Sequence, residues 1–289
     1  MNIELENKSI ERLKAFEPPE GYYLAYSGGK DSDVIKILAQ LAGVKFEAVH
    51  NLTTVDAPET VYYIKSQSDV RIDKPQKTMF ELIVHKGIPP TRLVRYCCEF
   101  LKERGGKGRI KVTGVRWAES VKRKQSQGLI SVIGKPKTAQ KAADEFGSSY
   151  TVNRQGVLIM NDDNDENRRL VEHCYRTTNT MINPIVDWSD KDVWDFLHHY
   201  GCYSNPLYQC GFNRVGCIGC PMAGKHRYFE FGRYPIYRFN YVRAFDRIIS
   251  RRKEKGLPTT FKNGEEVFKW WMGEDVNQLT LDYYDIVNV

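Results

Sequence analysis

The chain is defined first by what is missing from it. No run of about 18 apolar residues occurs in its 289 positions, so no transmembrane helix is expected. Met1 to Glu20 carries acidic residues and no apolar core segment, so it does not read as a signal peptide, and a cytoplasmic location is expected by default. No internal repeat is visible. The glycine turn at residues 27–32 has neither the Walker spacing nor the Gly-x-Gly-x-x-Gly of dinucleotide folds. No cysteine follows Cys220. In a cytoplasmic chain, seven cysteines point to metal or redox chemistry rather than to a disulfide scaffold.

What is present begins with Tyr22-Tyr23-Leu24-Ala25-Tyr26, an aromatic and apolar run that reads as a buried strand. Ser27-Gly28-Gly29-Lys30-Asp31-Ser32 follows, and then Val34, Ile35, Leu38, Leu41 and Ala42 recur at helical spacing up to Gly43. A strand, a glycine turn and a helix aim free N–H groups and the positive end of a helix dipole at one point, which suits a phosphate. Lys30 adds a mobile cation, and Ser27 and Ser32 add hydroxyls. Further strands are expected at Phe46–Leu52, Val70–Ile72 and Lys111–Val115, with a helix opening at Pro58 and another over Phe80–His85. This alternation predicts an α/β fold: a mostly parallel sheet with helices on both faces, and the loop at the C-terminal end of a strand, where such sheets bind ligands.

Residues 121–183 read as an inserted subdomain, with a strand at Val157–Met160 and a helix over Arg168–Arg176. Ser189, with Asp192 three residues on, caps a helix that Gly201 ends. The expected domains are 1–222, with the insertion, and a helical, aromatic-rich region over 223–289. The net charge of +7 is concentrated there, since Lys225 to Asn263 holds 11 Lys/Arg against 3 Asp/Glu. Val242, Phe245 and Ile249 fall on one helical face, and Arg243, Arg247 and Arg251 make a second stripe. That stripe reads either as a solvated face or as a groove for DNA or RNA, with Tyr228, Phe229, Tyr234 and Tyr237 available for stacking.

Cys97-Cys98 are adjacent, and Cys217-Ile218-Gly219-Cys220 is a C-x-x-C whose glycines allow a tight turn. Two pairs supply four thiolates, enough for a [4Fe–4S] cluster or a structural zinc, and spacing alone does not separate these. Consecutive Cα atoms lie about 3.8 Å apart, too close for Cys97 and Cys98 to form an unstrained disulfide with each other.

Ser27–Ser32 resembles the PP-loop of the ATP pyrophosphatase superfamily, which cleaves ATP between its α and β phosphates. Lys111-Val112-Thr113-Gly114-Val115-Arg116-Trp117-Ala118-Glu119 resembles the arginine-bearing phosphate-binding segment of phosphoadenosine phosphosulfate (PAPS) reductases. Asp56 to Thr60, Asn183 to Trp188, Asp192 to Trp194, Asn205 to Tyr208 and Gly216-Cys217 are similar to further stretches of that family. The resemblance spans about residues 20–222 and implies an adenine-nucleotide α-hydrolase fold. In the iron–sulfur branch a Cys-Cys and a later C-x-x-C bind a [4Fe–4S] cluster. Cys97, Cys98, Cys217 and Cys220 match, and Cys174 in the insertion is a competing ligand.

Reductases of the family use a C-terminal cysteine and a degraded loop, whereas here the loop is intact. The chain looks more like the PAPS reductase-like ATP pyrophosphatases of DNA phosphorothioation and tRNA thiolation. The resemblance then implies ATP and Mg²⁺ on Ser27, Gly28, Gly29, Lys30, Asp31 and Ser32, with Asp31 the candidate Mg²⁺ ligand. Arg116 and Arg123 would clamp phosphates, and a sulfur donor protein would be a partner. The alternatives are a sulfonucleotide reductase and a catalytically silent nucleic-acid-binding subunit.

Overall fold

The computed structural model describes residues 2–274, and they divide into two compact units. The first comprises Met1–Asn51, Pro58–Asp73 and Arg104–Val215. It holds an eight-stranded sheet in the order β3-β2-β1-β4-β8-β5-β7-β6, flanked by helices. The strands are β1 (Tyr22–Ala25), β2 (Phe46–Asn51), β3 (Val70–Asp73), β4 (Lys111–Val112), β5 (Ile130–Ile133), β6 (Thr151–Val152), β7 (Leu158–Met160) and β8 (Asn179–Ile182). The first five in the spatial order are parallel and the last three antiparallel. β1 lies inside the parallel part with Tyr22, Tyr23 and Leu24 all buried, which is why its sequence is apolar at every position rather than alternating.

The helices of this unit are α1 (Ile3–Ala15), α2 (Lys30–Ala42), α3 (Pro58–Lys65), α5 (Val121–Ser126), α6 (Pro136–Phe146), α7 (Asp165–Cys174) and α8 (Asp190–His199). α2 starts at the glycine turn and ends on Gly43, whose φ of 68° is the left-handed cap that glycine adopts without strain. Ser189 caps α8 with Asp192 as expected, and Trp188 meets Phe196 edge to face. Leu24, Ile35, Leu38, Val112, Ile182 and Trp188 are part of one continuous core.

The segment 121–183 is not a separate body. β8 is a parallel strand of the sheet, and β5, β7 and β6 extend the same sheet with alternating polarity. The expected strand at Lys111–Val115 is shorter, because the chain leaves the sheet after Val112.

α1 is tied down by ions. Arg12 donates to both oxygens of Asp187, at 2.7 and 2.8 Å, and to the carbonyl of Pro184 at 2.7 Å, while Lys8 reaches Asp187 at 2.9 Å. Burial pushes the Asp187 carboxyl up, but the bonds from Arg12 and Lys8 prevail and hold it below its ordinary value. Asp187→Asn is expected to cost about 2–3 kcal/mol in urea unfolding at neutral pH, because it strands the nearly buried Arg12 guanidinium. A carboxylate whose folded-state pKa is depressed stabilises above its unfolded pKa and loses that contribution as pH falls through the folded one. The gap between wild type and variant should therefore close only at acid pH, below about 4.

Of the described residues, the second unit comprises Leu52–Ala57, Lys74–Glu103 and residues 216–274. It contains α4 (Met79–Lys86), a π turn at Cys98–Lys102, α9 (His226–Arg233), α10 (Pro235–Glu254) and α11 (Gly264–Met272). The C-terminal helices therefore pack with a segment from the first half of the sequence, a unit wider than the expected 223–289. Its core is aromatic: Tyr241, Phe245, Phe231, Phe268 and Trp271 meet ring to ring. Gly264 is required where α11 starts, since a Cβ there would lie 2.2 Å from the Val242 carbonyl oxygen. No helix among the described residues is long and apolar enough to cross a membrane.

Candidate functional site

In the first unit the chain leaves β1, turns at Ser27-Gly28-Gly29 and enters α2 at Lys30. Gly28 has φ +74°, and a Cβ on it would lie 2.8 Å from the Ile64 side chain. Only glycine fits that close approach. Ser32 Oγ accepts from Gly29 N–H at 3.1 Å and donates to its carbonyl at 2.7 Å, closing the turn on itself. Asn205 Nδ2 donates to the Gly28 carbonyl at 2.9 Å, and Tyr208 Oη accepts from Lys30 N–H at 3.0 Å. The Asn205–Tyr208 stretch therefore acts as a brace for the loop backbone.

Two cations and two carboxylates gather at the start of α2. Arg116 is buried; its Nε donates to Asp31 at 2.6 Å, its Nη2 to Asp190 at 2.8 Å and its Nη1 to the Trp188 carbonyl at 3.2 Å. Lys30 Nζ stands 3.6 Å from Asp31 and 3.5 Å from Asp190, with the Tyr208 ring 5.7 Å away. Burial pushes Asp190 up, yet Arg116 and Lys30 hold it below the usual carboxylate range. A Cβ on Gly114, at the end of β4, would come within 2.8 Å of Asp31 Cβ, so this strand end also touches the loop. Lys30 and Arg116 beside a helix N-terminus suit a polyanion, and Asp31 with Asp190 suits a divalent cation shared with it.

Arg123 sits on α5, part-exposed and paired with Glu119 at 3.2 Å, and Glu119 in turn accepts from the Arg116 N–H at 3.1 Å. Cys174 closes α7 within the apolar core of the first unit, where burial pushes its thiol up.

The other four candidate cysteines all lie in the second unit. Cys97 and Cys98 enter the π turn with their thiols hydrogen-bonded; that bond pushes Cys98 down and Cys97 up. Cys217 is buried and bridges to Asp56, with its Sγ 3.5 Å from Thr53 Oγ1. Cys220 N–H closes the turn on the Cys217 carbonyl at 3.2 Å. Gly219 has φ +74°, and a Cβ there would strike the Phe231 ring at 2.5 Å, so the turn depends on glycine. The charges of Cys217 and Cys220 act on Cys97, and Cys217 foremost raises the pKa of Lys102, followed by Asp56, Cys220 and Cys98. Lys102, at the end of the π turn, is exposed and stands in the field of these groups. As they stand, no three His, Cys, Asp or Glu side chains among the described residues are grouped to hold a metal ion.

In the basic block, α10 buries Tyr241, Phe245 and Ile249 and exposes Arg243 and Arg247. Arg251 donates to the Val84 carbonyl at 3.1 Å. Tyr228 and Phe229 are about half exposed, whereas Tyr234 is buried and Tyr237 donates to the Asp56 carbonyl at 2.8 Å.

Motif spacing gave no roles to Asp190, Tyr208, Asn205, Gly114 or Lys102. Asp190 reads as an ordinary first-turn acid, and Tyr208 follows an Asn-Pro turn; only the folded chain brings them to the loop.

The match of residues 21–223 to the phosphoadenosine phosphosulfate reductase domain places this chain in that family. An uncharacterised protein of Methanocaldococcus jannaschii is 25% identical over 232 residues, covering 76% of this chain and 47% of that protein. The adenosine 5'-phosphosulfate reductase of Allochromatium vinosum is 43% identical over 42 residues, 14% of this chain and 16% of the enzyme. The chain thus spans less than half the length of these curated relatives. Among solved structures, a PAPS reductase from Candida auris in a phosphate complex aligns with 74% of this chain and 93% of its own, at 15% identity and a TM-score of 0.42. The FMN adenylyltransferase of Candida glabrata aligns with 75% of this chain and 61% of its own, at 14% identity and a TM-score of 0.43.

Proposed function

We propose that the protein is an ATP pyrophosphatase that adenylates an acceptor for sulfur transfer. The observation that carries this reading is the intact Ser27–Ser32 loop, braced by Asn205 and Tyr208, with Lys30, Arg116, Asp31 and Asp190 at the start of α2. ATP would lay its β and γ phosphates on the loop. Lys30 would neutralise them, and Asp31 would share Mg²⁺ with their oxygens. Arg116 is held by two carboxylates, so its first task is to position Asp31 and Asp190; a phosphate that drew them toward Mg²⁺ would free its fork for charge-assisted bonds. An acceptor oxygen attacks the α phosphorus, the Pα–O bond to the β phosphate breaks, and pyrophosphate leaves with the negative charge. A sulfur nucleophile, delivered by a donor protein, then forms a bond to the activated atom as AMP departs.

The four thiols of the second unit have the donor chemistry of a [4Fe–4S] cluster. Cys97, Cys98, Cys217 and Cys220 would hold it, and when bound it would supply a sulfur-binding iron. A structural zinc is the competing occupant of the same thiols. The acceptor in this reading is a nucleic acid drawn to the basic block of the second unit.

ATP–pyrophosphate exchange, run with and without bulk tRNA or genomic DNA, tests the reading. Labelled pyrophosphate should return to ATP at a rate that depends on Mg²⁺. The family's name supports a second reading, a sulfonucleotide reductase. Thiol-dependent sulfite release from PAPS or adenosine 5'-phosphosulfate, without exchange, would replace the proposal. Neither activity would leave a nucleic-acid-binding subunit.

A further inference from the structure

Two adjoining grooves in the second unit take no part in the chemistry above. The first is lined by His85, Lys86, Arg251, Arg252, Lys255 and apolar neighbours. The second is walled by Pro89, Ile248, Pro258, Phe261 and Trp270, and shares Gly87, Ile88, Ile248 and Arg252 with the first. No Asp or Glu is among the lining residues of either groove.

The C-terminal ends of α4 and α10 meet here, joined by the bond from Arg251 to the Val84 carbonyl, while Arg252 Nε holds the Pro258 carbonyl at 3.0 Å. Cations at helix C-termini have an ordinary role, which is to neutralise the negative dipole ends. Two such ends amount to about one negative charge, so the four Lys/Arg of the first groove leave an excess of about three positive charges. His85, in the same lining, is pushed below its ordinary value by Lys77 first, then by burial, and after these by Arg251 and Lys86. Next to that excess stand two half-buried rings, Phe261 and Trp270, with centroids 5.8 Å apart. A cationic mouth beside an aromatic slot suits a phosphate attached to a flat, stackable base.

We propose that these grooves bind a single-stranded stretch of nucleic acid, with backbone phosphates on Arg252 and Lys255 and an unpaired base against Trp270 and Phe261. The inference rests on the reading that the acceptor is a nucleic acid. It assigns the contact to this groove rather than to the exposed Arg243–Arg247 stripe, and it specifies an unpaired strand, since a base inside a duplex cannot enter the slot.

The test uses the full chain without ATP, so that it is independent of the exchange assay. Anisotropy of labelled RNA and DNA strands of about eight nucleotides would be followed against salt, with a duplex of the same sequence alongside. Single strands should bind and the duplex bind at least about 10-fold more weakly, and Trp270→Leu should weaken strand binding by about 10-fold. Arg252→Gln with Lys255→Gln should lower the slope of log K against log salt by about 1.4, at roughly 0.7 for each lost single-strand phosphate contact. Arg243→Gln with Arg247→Gln should leave strand affinity within about twofold. Phe261→Leu supplies a second slot variant if thermal melting shows that Trp270→Leu does not fold. Unchanged strand binding in both the slot and the mouth variants, or loss only in the Arg243–Arg247 variant, would overturn the groove assignment and leave the acceptor reading standing. No binding by the wild type at about 50 mM salt would overturn both.

Discussion

Lys30→Ala should lower pyrophosphate release from ATP by at least about 100-fold, the cost of removing one preorganised group that stabilises charge in a transition state. The expectation follows from position. Lys30 is nearly buried at the first position of α2, and its Nζ stands between Asp31 and Asp190. The backbone N–H groups of the turn and the helix dipole are partial charges; Lys30 is the full cation that can follow the phosphate oxygens as pyrophosphate departs. Removal of Lys30 also leaves Asp31 and Asp190 with Arg116 as their shared cation, so metal binding and fold need separate controls. A Tm near that of the wild type, with turnover lost, assigns the effect to chemistry. Release at the wild-type rate would remove the loop from the mechanism.

Cys217→Ser should abolish bound iron. Anaerobically purified wild type is expected to be brown, with absorbance near 400 nm and about four irons per chain, the number that a four-thiolate cubane holds. Cys217 is the buried member of the set, fixed by its bridge to Asp56 and by a glycine turn that no other residue can make. A serine there cannot replace the thiolate as a soft ligand. Cys97→Ser, Cys98→Ser and Cys220→Ser should act in the same direction. Cys174→Ser should leave the iron content unchanged, because Cys174 is packed with Leu170 and Val171 in the core of the first unit. Colourless protein with one zinc per chain would replace the cluster with a structural zinc, and iron loss in Cys174→Ser would restore that residue to the ligand set.

Much of the parallel half of the sheet was legible in the sequence. Strands buried on both faces must be apolar throughout, and α2 and α8 are bounded by glycines and a capping serine whose signals are local. The rest of the sheet was less legible: β7 was expected, but β8, a parallel strand, opens with polar Asn179 and Thr180 before Met181 and Ile182, and β6 is two exposed residues, so neither makes a run that stands out. α6 contacts the core through Ala139, Ala142 and Ala143, side chains too small to mark a face by periodicity. The second unit was partly visible. The apolar face of α10 and the last helix follow from spacing, but the packing of α10 with α4 joins residues more than 150 positions apart, and no local pattern carries that.

The sequence by itself determined the chemistry available to this protein: a phosphate loop between a strand and a helix, two pairs of thiols, and a basic segment rich in aromatics. Each is a short stretch whose residue types and spacing set its local backbone. The tertiary structure alone decided how those groups are held. Arg116 was expected to face a ligand, and instead it is bound by Asp31 and Asp190, two carboxylates from different helices. Tyr208 and Asn205 became braces of the loop. The reason is physical: a buried charge or an unpaired N–H must find a partner, and the partner is whichever group the fold brings within reach, at any separation along the chain.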